Sequence, residues 1–239
     1  TRFRNVTGVQ TCALPIFESA RIESEKLAKQ ISEKRISAAK KFNKSIESSL
    51  KELGIVNGVF ETRVSKREIS NGEELFATIG KKKVLLTSYG FDEVEFFVSA
   101  NKGEEPKPMI DVASGGEVSR IMLSLKSSLA KADTTPVLIF DEIDVGVSGR
   151  IAQAVGKSLK SLSTHHHLIA ITHLPQIAGL ADAHFVVEKI ENGKRTATSI
   201  RKLNDKERVI EVAKLMSGEK ISDAALKSAK ELMSLYSNK

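Results

Sequence analysis

Two adjacent carboxylates, Asp141 and Glu142, directly follow the apolar run Val137–Phe140. A buried parallel strand that ends in acids presents them at the carboxyl edge of its sheet, where open α/β folds bind their ligands. In this Walker B pattern we expect Asp141 to hold the Mg²⁺ of a nucleotide, and Glu142 to orient and deprotonate the attacking water. The pattern alone leaves open an ordinary buried strand followed by an acidic turn.

A short segment, Ser114-Gly115-Gly116-Glu117, precedes a predicted helix. Its two glycines allow a close approach of the backbone, and the N–H groups at a helix N-terminus attract phosphate, with the Ser114 hydroxyl as an added donor. The same four residues also fit a plain capping box, and the two interpretations are compatible. One turn further on, we expect Arg120 to face a phosphate, a DNA strand or only solvent.

The histidines occur in two settings. His173 follows a second apolar run, so we expect it at the same sheet edge, where it could contact a γ-phosphate, although a lone histidine is more often structural. The run His165-His166-His167 has no cysteine or acid cluster beside it, and neighbouring side chains of an extended segment point in opposite directions. We therefore expect a solvated loop there rather than a metal site.

The order of these motifs is more specific than any one of them. A glycine-rich helix start, an acidic strand end and a strand-end histidine, in that order, are typical of the second half of an ABC-type ATPase. The phosphate-binding loop of such enzymes, Gly-x-x-x-x-Gly-Lys followed by Ser or Thr, has one near match at Gly80-Lys81. That match fails because Leu75 stands at the first glycine and Lys82 follows the lysine. We therefore expect the loop in an N-terminal half that precedes these residues.

The elements that must position these residues follow from hydrophobic periodicity. Strands are predicted at 59–65, 83–87 and 94–98, with turns at Asn71-Gly72 and Tyr89-Gly90. Further along, apolar strands alternate with helices, which predicts an α/β fold whose parallel sheet is covered on both faces. The predicted elements of that region are helices at 116–131, 149–162, 205–216 and 222–236, strands at 136–141 and 168–172, a short helix from Pro175, and a hairpin across Asn192-Gly193.

Residues 17–53 contain no glycine or proline and are predicted to form one long helix that ends at Gly54 and Gly58. Lysines occupy the face opposite a narrow apolar stripe, which indicates one arm of a coiled coil, with an ordinary amphipathic helix as the alternative. The stripe consists of Ala20, Leu27, Ile31, Ala38, Phe42, Ile46, Leu50 and Leu53.

Residues 1–16 are interpreted as a foreign leader, because 6–16 resemble the in-frame translation of a DNA-sequencing adapter. We expect this leader to be disordered, and we exclude it from the fold. A secretory signal peptide is the rival interpretation, but the segment lacks an apolar core of sufficient length and a small-residue cleavage site.

Composition sets broad limits on function. The net charge is +7, from 37 Lys and Arg against 30 Asp and Glu, which favours polyanions such as nucleic acid without proving such a partner. The single cysteine, Cys12, excludes an internal disulfide and fits a reducing cytoplasm. No apolar run is long enough to cross a membrane, so we expect no membrane partner.

Over residues 90–239 the chain resembles the RecN family of SMC-like bacterial DNA-repair ATPases, whereas residues 66–89 match that family poorly. The motifs that carry the resemblance are residues 91–96, 112–117, 119–123, 140–144, 148–150, 172–176 and the segment from Arg208 through the closing helix. The resemblance implies a fold: the C-terminal lobe of an ABC/SMC-type P-loop ATPase head over residues 54–239, preceded at 17–53 by the returning coiled-coil arm.

The resemblance also implies roles. Ser114, Gly115, Gly116 and Glu117 would be the signature that binds the ATP of a partner head. Asp141 and Glu142 would be the Walker B pair, Asp144 would begin the nucleotide-binding D-loop at the dimer interface, and His173 would be the switch histidine. ATP and Mg²⁺ are the implied cofactors. The implied partners are DNA, the chain's own N-terminal half, and a second copy joined through ATP-sandwiched heads near the nucleoid.

The function expected from this resemblance is ATP hydrolysis in DNA double-strand-break repair and recombination, with this segment inactive alone. Two alternatives remain open at this point. One is the ATPase subunit of another ABC system, such as a membrane transporter. The other is a DNA-binding scaffold that has lost hydrolysis, although Glu142 speaks against it because a scaffold needs no base there.

Overall fold

A computed structural model describes residues 7–69, 75–112, 115–192 and 195–234. The helices are α1 (Thr7–Glu52), α2 (Gly115–Leu129), α3 (Gly149–Leu162), α4 (Pro175–Ala178), α5 (Asp205–Ser217) and α6 (Asp223–Ser234). The strands are β1 (Val59–Lys66), β2 (Phe76–Ile79), β3 (Lys82–Leu85), β4 (Asp92–Ser99), β5 (Lys107–Pro108), β6 (Val137–Phe140), β7 (His167–Ala170), β8 (Phe185–Asn192) and β9 (Arg195–Lys202). Within those ranges, no helix combines the length and apolar character needed to span a membrane.

The predicted mixture of helices and strands is confirmed, and α3 has the predicted bounds. Strand β2 was not predicted from the sequence. The predicted turn at Asn71-Gly72 lies outside the described residues, as does Gly193 of the predicted hairpin turn. The hairpin itself is present, with β8 and β9 paired antiparallel from Phe185↔Lys202 onward.

The chain divides into two compact units. The first combines Thr1–Ser45 with Val59–Ser99 and Glu104–Asp111, and the second combines Ile46–Gly58 and Ala100–Gly103 with Val112–Lys239. The boundary inferred from sequence, between residues 53 and 54, falls inside the second unit. The end of α1 belongs to the second unit because Leu53 is buried in the core of that unit.

The first unit is built on an antiparallel sheet of order β1-β4-β5, with β2 and β3 forming a separate antiparallel pair. Phe60 and Phe96 lie on the sheet face that contacts α1, where the Phe42 ring is 5.9 Å and 6.0 Å from their respective ring centroids. Two polar contacts fix the helix at the other end, since Ser32 Oγ and Arg35 Nη1 donate to the carboxylate of Asp92 at 2.8 Å and 3.1 Å.

These contacts change which face of α1 is buried. Ala28 and Ser32 are buried, whereas Leu27 and Ile31 of the predicted stripe are 53% and 40% exposed. The C-terminal part of the stripe, with Ile46, Leu50 and Leu53, is buried within this chain, and the N-terminal part is left exposed. The physical reason is the Asp92 anchor, which turns a partly polar face of α1 toward its sheet.

The second unit contains the parallel pair β6 and β7, in register from Val137↔His167 to Phe140↔Ala170. One face of this pair, through Leu138 and Phe140, packs into the main core. The residues that complete this core are Leu53, Leu123, Ile143, Val155, Leu159, Leu162 and Ile177.

The other face of β6 and β7 is uncovered. The exposed fractions of its apolar residues are 45% for Val137, 67% for Ile139, 46% for Ile169 and 56% for Ile171. The expectation of a sheet covered on both faces was therefore wrong for the described residues, because no element among them packs on that side. We call these four residues the open sheet face.

Helix α1 begins at Thr7, where we expected a disordered leader. A helix propagates from an existing nucleus at little cost, so α1 can extend toward the N-terminus through exposed residues such as Leu14 and Ile16. Residues 14–20 are all exposed, and Pro15 lies inside the helix, where it cannot donate a backbone hydrogen bond.

Deletion of residues 1–16 is expected to leave the free energy of unfolding unchanged within about 0.5 kcal/mol, the usual scale for changes at exposed positions. Leu14 and Ile16 are each 69% exposed, so their removal uncovers no core. Denaturant unfolding of the two chains, followed by circular dichroism, measures the difference. A loss of 2 kcal/mol or more, on the order of a core truncation, would show that the segment is native structure.

Candidate functional site

The acidic pair stands directly after β6, in a turn with an unusual backbone. Glu142 has a φ of 56°, in the left-handed region that few non-glycine residues adopt. Its backbone N–H donates to Asp141 Oδ1 at 2.8 Å, which fixes the first carboxylate against the turn. Both acids are exposed, as a pair that serves a ligand must be.

The start of α2 lies beside this turn. A Cβ atom at Gly115 would collide with Glu142 Oε2, so only a glycine admits the carboxylate at this distance. Gly116 is similarly tight, because a Cβ atom there would lie 3.0 Å from the Val145 carbonyl oxygen. Ser119 Oγ donates to the Asp141 carbonyl at 2.8 Å and joins the helix to the strand end. Ser114 lies outside the described residues.

Arg120 is buried, and the expectation that it faces a phosphate, DNA or solvent was wrong. Its Nη1 donates to the Val145 carbonyl at 2.8 Å, so the guanidinium fastens α2 to the loop after the acids. Its Nε is buried without a partner. Burial lowers the pKa of Arg120 from its ordinary value, and the charge of Glu117 opposes that shift. No sequence pattern indicates this role, since an arginine near the start of a helix is usually solvated.

Asp144 and His173 form the second part of the site. The Asp144 side chain is 5% exposed and the His173 side chain 72% exposed, with His173 Nδ1 at 3.0 Å from Asp144 Oδ2. The same oxygen accepts from Thr172 Oγ1 at 2.6 Å and from the His173 backbone N–H at 2.8 Å. Thr172 was not singled out from the sequence beyond its position before the histidine.

The sequence-predicted residues therefore meet in two contacts, Glu142 with Gly115 and Asp144 with His173, both at the carboxyl end of β6 and β7. Glu117 is half-buried, and its negative charge acts on Arg120. Among the described residues, no group of three or more His, Cys, Asp or Glu side chains could hold a metal ion by itself.

The histidine run at the opposite end of β7 differs from expectation in one residue. His165 and His167 are exposed, but His166 is buried, with Nδ1 at 2.7 Å from the Thr135 carbonyl. Thr135 is in turn held by Asp133, whose carboxyl pKa is lowered well below its ordinary value by hydrogen bonds from Lys126 and Thr135. His166 thus belongs to a hydrogen-bonded network in the segment before β6. The run of three histidines in the sequence did not indicate this structural role.

Comparison with known proteins gives close relatives for almost the whole chain. It is 39% identical to the DNA repair protein RecN of Rickettsia bellii over 90% of its length, and 40% identical to RecN of Treponema pallidum over 85%. RecN of Bacillus subtilis is 38% identical over 86% of the chain. The chain spans 37%, 34% and 36% of these three relatives, just over a third of their length. No family model matches the chain.

Solved structures with a similar backbone include SMC proteins. One comes from work on ATP-driven dimerization and DNA-stimulated activation of SMC ATPases, with 15% identity, a TM-score of 0.41, and coverage of 79% of this chain and 99% of that one. A second is the Smc head domain with a coiled coil and joint from Pyrococcus yayanosii, with 17% identity, a TM-score of 0.47, and coverage of 77% and 30%.

Proposed function

We propose that this chain, which is homologous to the DNA repair protein RecN, is the C-terminal half of an SMC-like ATPase in DNA double-strand-break repair and recombination. The observation that carries the proposal is the meeting of four groups at one sheet edge. These are the acids after β6, the glycines that begin α2, the buried Asp144 and the exposed His173. A protein with this function works in the cytoplasm near the nucleoid.

The residues have the chemistry that ATP hydrolysis needs. Asp141 would hold Mg²⁺ together with phosphate oxygens and water, since Mg²⁺ prefers oxygen ligands and keeps several waters. Glu142 would act as the base that takes a proton from the attacking water. The signature segment with Ser114, Gly115, Gly116 and Glu117 would offer its N–H groups to the ATP of a second head, and His173 would contact the terminal phosphate.

Glu142 must move for this chemistry to occur. Its carboxylate now lies against Gly115, on the helix start that is proposed to receive a phosphate. An anion cannot share that position with another anion, because like charges in contact repel. Binding of a partner head with ATP is therefore expected to displace the Glu142 side chain toward the water that it activates.

The open sheet face supports the proposal that the nucleotide site is completed by an N-terminal half. Ile139 and Ile169 lie on adjacent strands and expose apolar surface that soluble domains normally bury. The same half would supply the phosphate-binding loop, whose backbone N–H groups and lysine offset the charge of ATP. Asp141 and Glu142 without that loop would repel the nucleotide, which is why we expect this chain alone to be inactive.

Helix α1 supports the proposal that residues 17–53 form one arm of a coiled coil. Ala20, Leu27, Ile31 and Ala38 are exposed and recur at spacings that keep them on one face, beside the face that packs on the sheet of the first unit. An outgoing helix from the N-terminal half would cover this stripe. DNA is the proposed polyanionic partner because of the net charge of +7, and a homodimer through ATP-sandwiched heads is the proposed active assembly.

The test is complementation in trans. The chain alone is expected to bind no ATP at micromolar concentration by calorimetry and to release no phosphate. Mixing it with a separately made N-terminal half of the same gene is expected to give ATP turnover that DNA stimulates. Phosphate release is the measurement, and the N-terminal half alone is the matched control.

Two results would contradict the proposal. Micromolar ATP binding by the chain alone would mean that it contains a phosphate site other than the one inferred. A stable complex of the two halves that binds ATP but never releases phosphate, with or without DNA, would favour a non-hydrolysing scaffold instead.

A further inference from the structure

Two neighbouring residues of α2 hold both ends of the segment that follows β6. Ser119 Oγ donates to the Asp141 carbonyl and Arg120 Nη1 donates to the Val145 carbonyl, each at 2.8 Å. The donors are adjacent in the chain, whereas the acceptors stand at opposite ends of residues 141–145. We call these two hydrogen bonds the clip. Glu142, the acid with the left-handed backbone, lies between the two points that the clip holds.

The backbone inside the clip depends on its surroundings. A residue with a side chain keeps a φ of 56° only where neighbouring contacts determine that conformation. One bond within the segment contributes, because the Val145 backbone N–H donates to the Glu142 carbonyl at 3.1 Å. Ile143 adds a second restraint, since its side chain is buried in the core. The clip joins this turn to α2, so the helix shares in fixing the direction of the Glu142 side chain.

The start of α2 fits against this segment without spare space. A Cβ atom at Gly116 would lie 3.0 Å from the Val145 carbonyl oxygen and 3.2 Å from Arg120 Nη1. The hydrogen bond from Arg120 therefore passes beside the helix start itself. Closely packed groups transmit small shifts because they have little room to be compressed. A displacement of the helix start would thus displace Val145 and the turn that contains Glu142.

Stability does not explain Arg120. The residue is 6% exposed, and its Nε is buried without a partner. Burial lowers the pKa of the guanidinium even though the charge of Glu117 opposes the shift. A buried charge can often be replaced by an apolar side chain of similar size with no loss of stability. The need for a donor to the Val145 carbonyl, rather than a gain in stability, therefore accounts for an arginine at this position.

We propose that Ser119 and Arg120 are positioning residues for Glu142, which the clip holds ready to activate the water that attacks ATP. The catalytic part rests on the proposed function, whereas the clip rests on hydrogen bonds within this chain. The clip fixes the backbone, so the Glu142 carboxylate leaves Gly115 by rotation of its own side chain. Because α2 begins at the glycines that are proposed to meet the ATP of a second head, that ATP would act on Glu142 through the clip.

Amide hydrogen exchange on the chain by itself, followed by NMR, tests whether the clip holds the turn. The reporters are the backbone N–H groups of Glu142 and Val145, which donate to Asp141 Oδ1 and to the Glu142 carbonyl. Arg120→Met keeps an unbranched side chain and removes the donor, and Ser119→Ala removes one hydroxyl. Each substitution is expected to raise the exchange rates of both reporters by about 10-fold or more, because the turn opens locally more often.

Ser128→Ala is the matched control, since Ser128 is exposed on the same helix, and it should leave all exchange rates unchanged. The N–H of Ile171, which donates to the Phe140 carbonyl, is the internal reference in every variant. Unchanged reporter rates in Ser119→Ala, which removes too little to prevent folding, would overturn the proposal. Equal acceleration of the reporters and of Ile171 would also overturn it, because that result would indicate a general loss of structure.

Turnover in the two mixed halves tests the role in catalysis. Each substitution is expected to lower kcat by about 10-fold or more and to leave KM for ATP within about twofold, since neither residue would touch the nucleotide. Arg120→Lys, which can still donate to the Val145 carbonyl, should retain more turnover than Arg120→Met. In a Glu142→Gln background, Ser119→Ala should lower turnover no further, because a residue that acts through the base has no effect once the base is removed.

A merely structural role predicts a different result. Ser119→Ala would then lower turnover by the same factor with or without Glu142→Gln, and that additivity would overturn the proposal. A raised KM with kcat retained would do the same, because it would mean direct contact with the nucleotide. If the unsubstituted mixture shows no turnover, the proposed function fails and the catalytic role fails with it, and the exchange rates still decide whether the clip holds the turn.

Discussion

Replacing Glu142 with glutamine in the completed protein is expected to lower ATP turnover by about 10²-fold or more while ATP binding survives. Glutamine has the shape of glutamate but cannot take a proton from water. The substitution fits the structure, because the side-chain amide can occupy the space beside Gly115 that the carboxylate fills now. Hydrolysis should therefore stop after the nucleotide has joined the two heads, and an ATP-bound dimer should accumulate.

Two measurements check this expectation: steady-state phosphate release, and light scattering with ATP present. Glu188→Gln is the matched control, because Glu188 is an exposed acid on β8 with the same change in charge. It should leave both measurements unchanged. Turnover of Glu142→Gln within a factor of about two of the original would remove Glu142 from the proposed mechanism.

Placing a charge on the open sheet face is expected to prevent assembly of the two halves. Ile139 is 67% exposed in this chain, so Ile139→Asp should change its free energy of unfolding by no more than about 1 kcal/mol. In the complete head the same residue would be buried against the N-terminal half. An unpaired carboxylate costs several kcal/mol there, which corresponds to a loss of affinity between the halves of 10²-fold or more.

Calorimetric titration of one half into the other measures that affinity, and phosphate release reports its consequence. Leu14→Asp is the control, since Leu14 is 69% exposed and lies in the segment that we interpret as foreign. It should bind and hydrolyse like the original chain. Equal affinity for Ile139→Asp would mean that the N-terminal half docks elsewhere or that another partner covers this face.

The positions of the proposed site residues could be inferred from sequence because each motif is short and stands at the end of a regular element. The run before Asp141 predicts a buried strand, and a strand end determines where the acids lie. The same logic placed His173 near them, and the second apolar strand, β7, pairs in parallel with β6 as that logic requires. These inferences need only local periodicity and the rule that parallel strands share one carboxyl edge.

Contacts between distant parts of the chain could not be inferred in this way. The anchor at Asp92 lies 57 residues from Arg35, and it decides which face of α1 is buried. Arg120 reaches Val145, 25 residues away, and no periodicity distinguishes a buried arginine from a solvated one. The open sheet face was missed for a related reason, since an apolar strand looks the same whether or not its covering layer belongs to the chain.

The backbone at Glu142 has a consequence for any attempt to stabilise this protein. A φ of 56° at a residue with a side chain costs on the order of 1–2 kcal/mol that glycine would not incur. Selection or design for thermal stability alone would therefore favour glycine at the position that we propose as the catalytic base. A library screened only for resistance to heat would enrich variants that fold well and hydrolyse nothing, so such a screen needs a parallel selection for turnover.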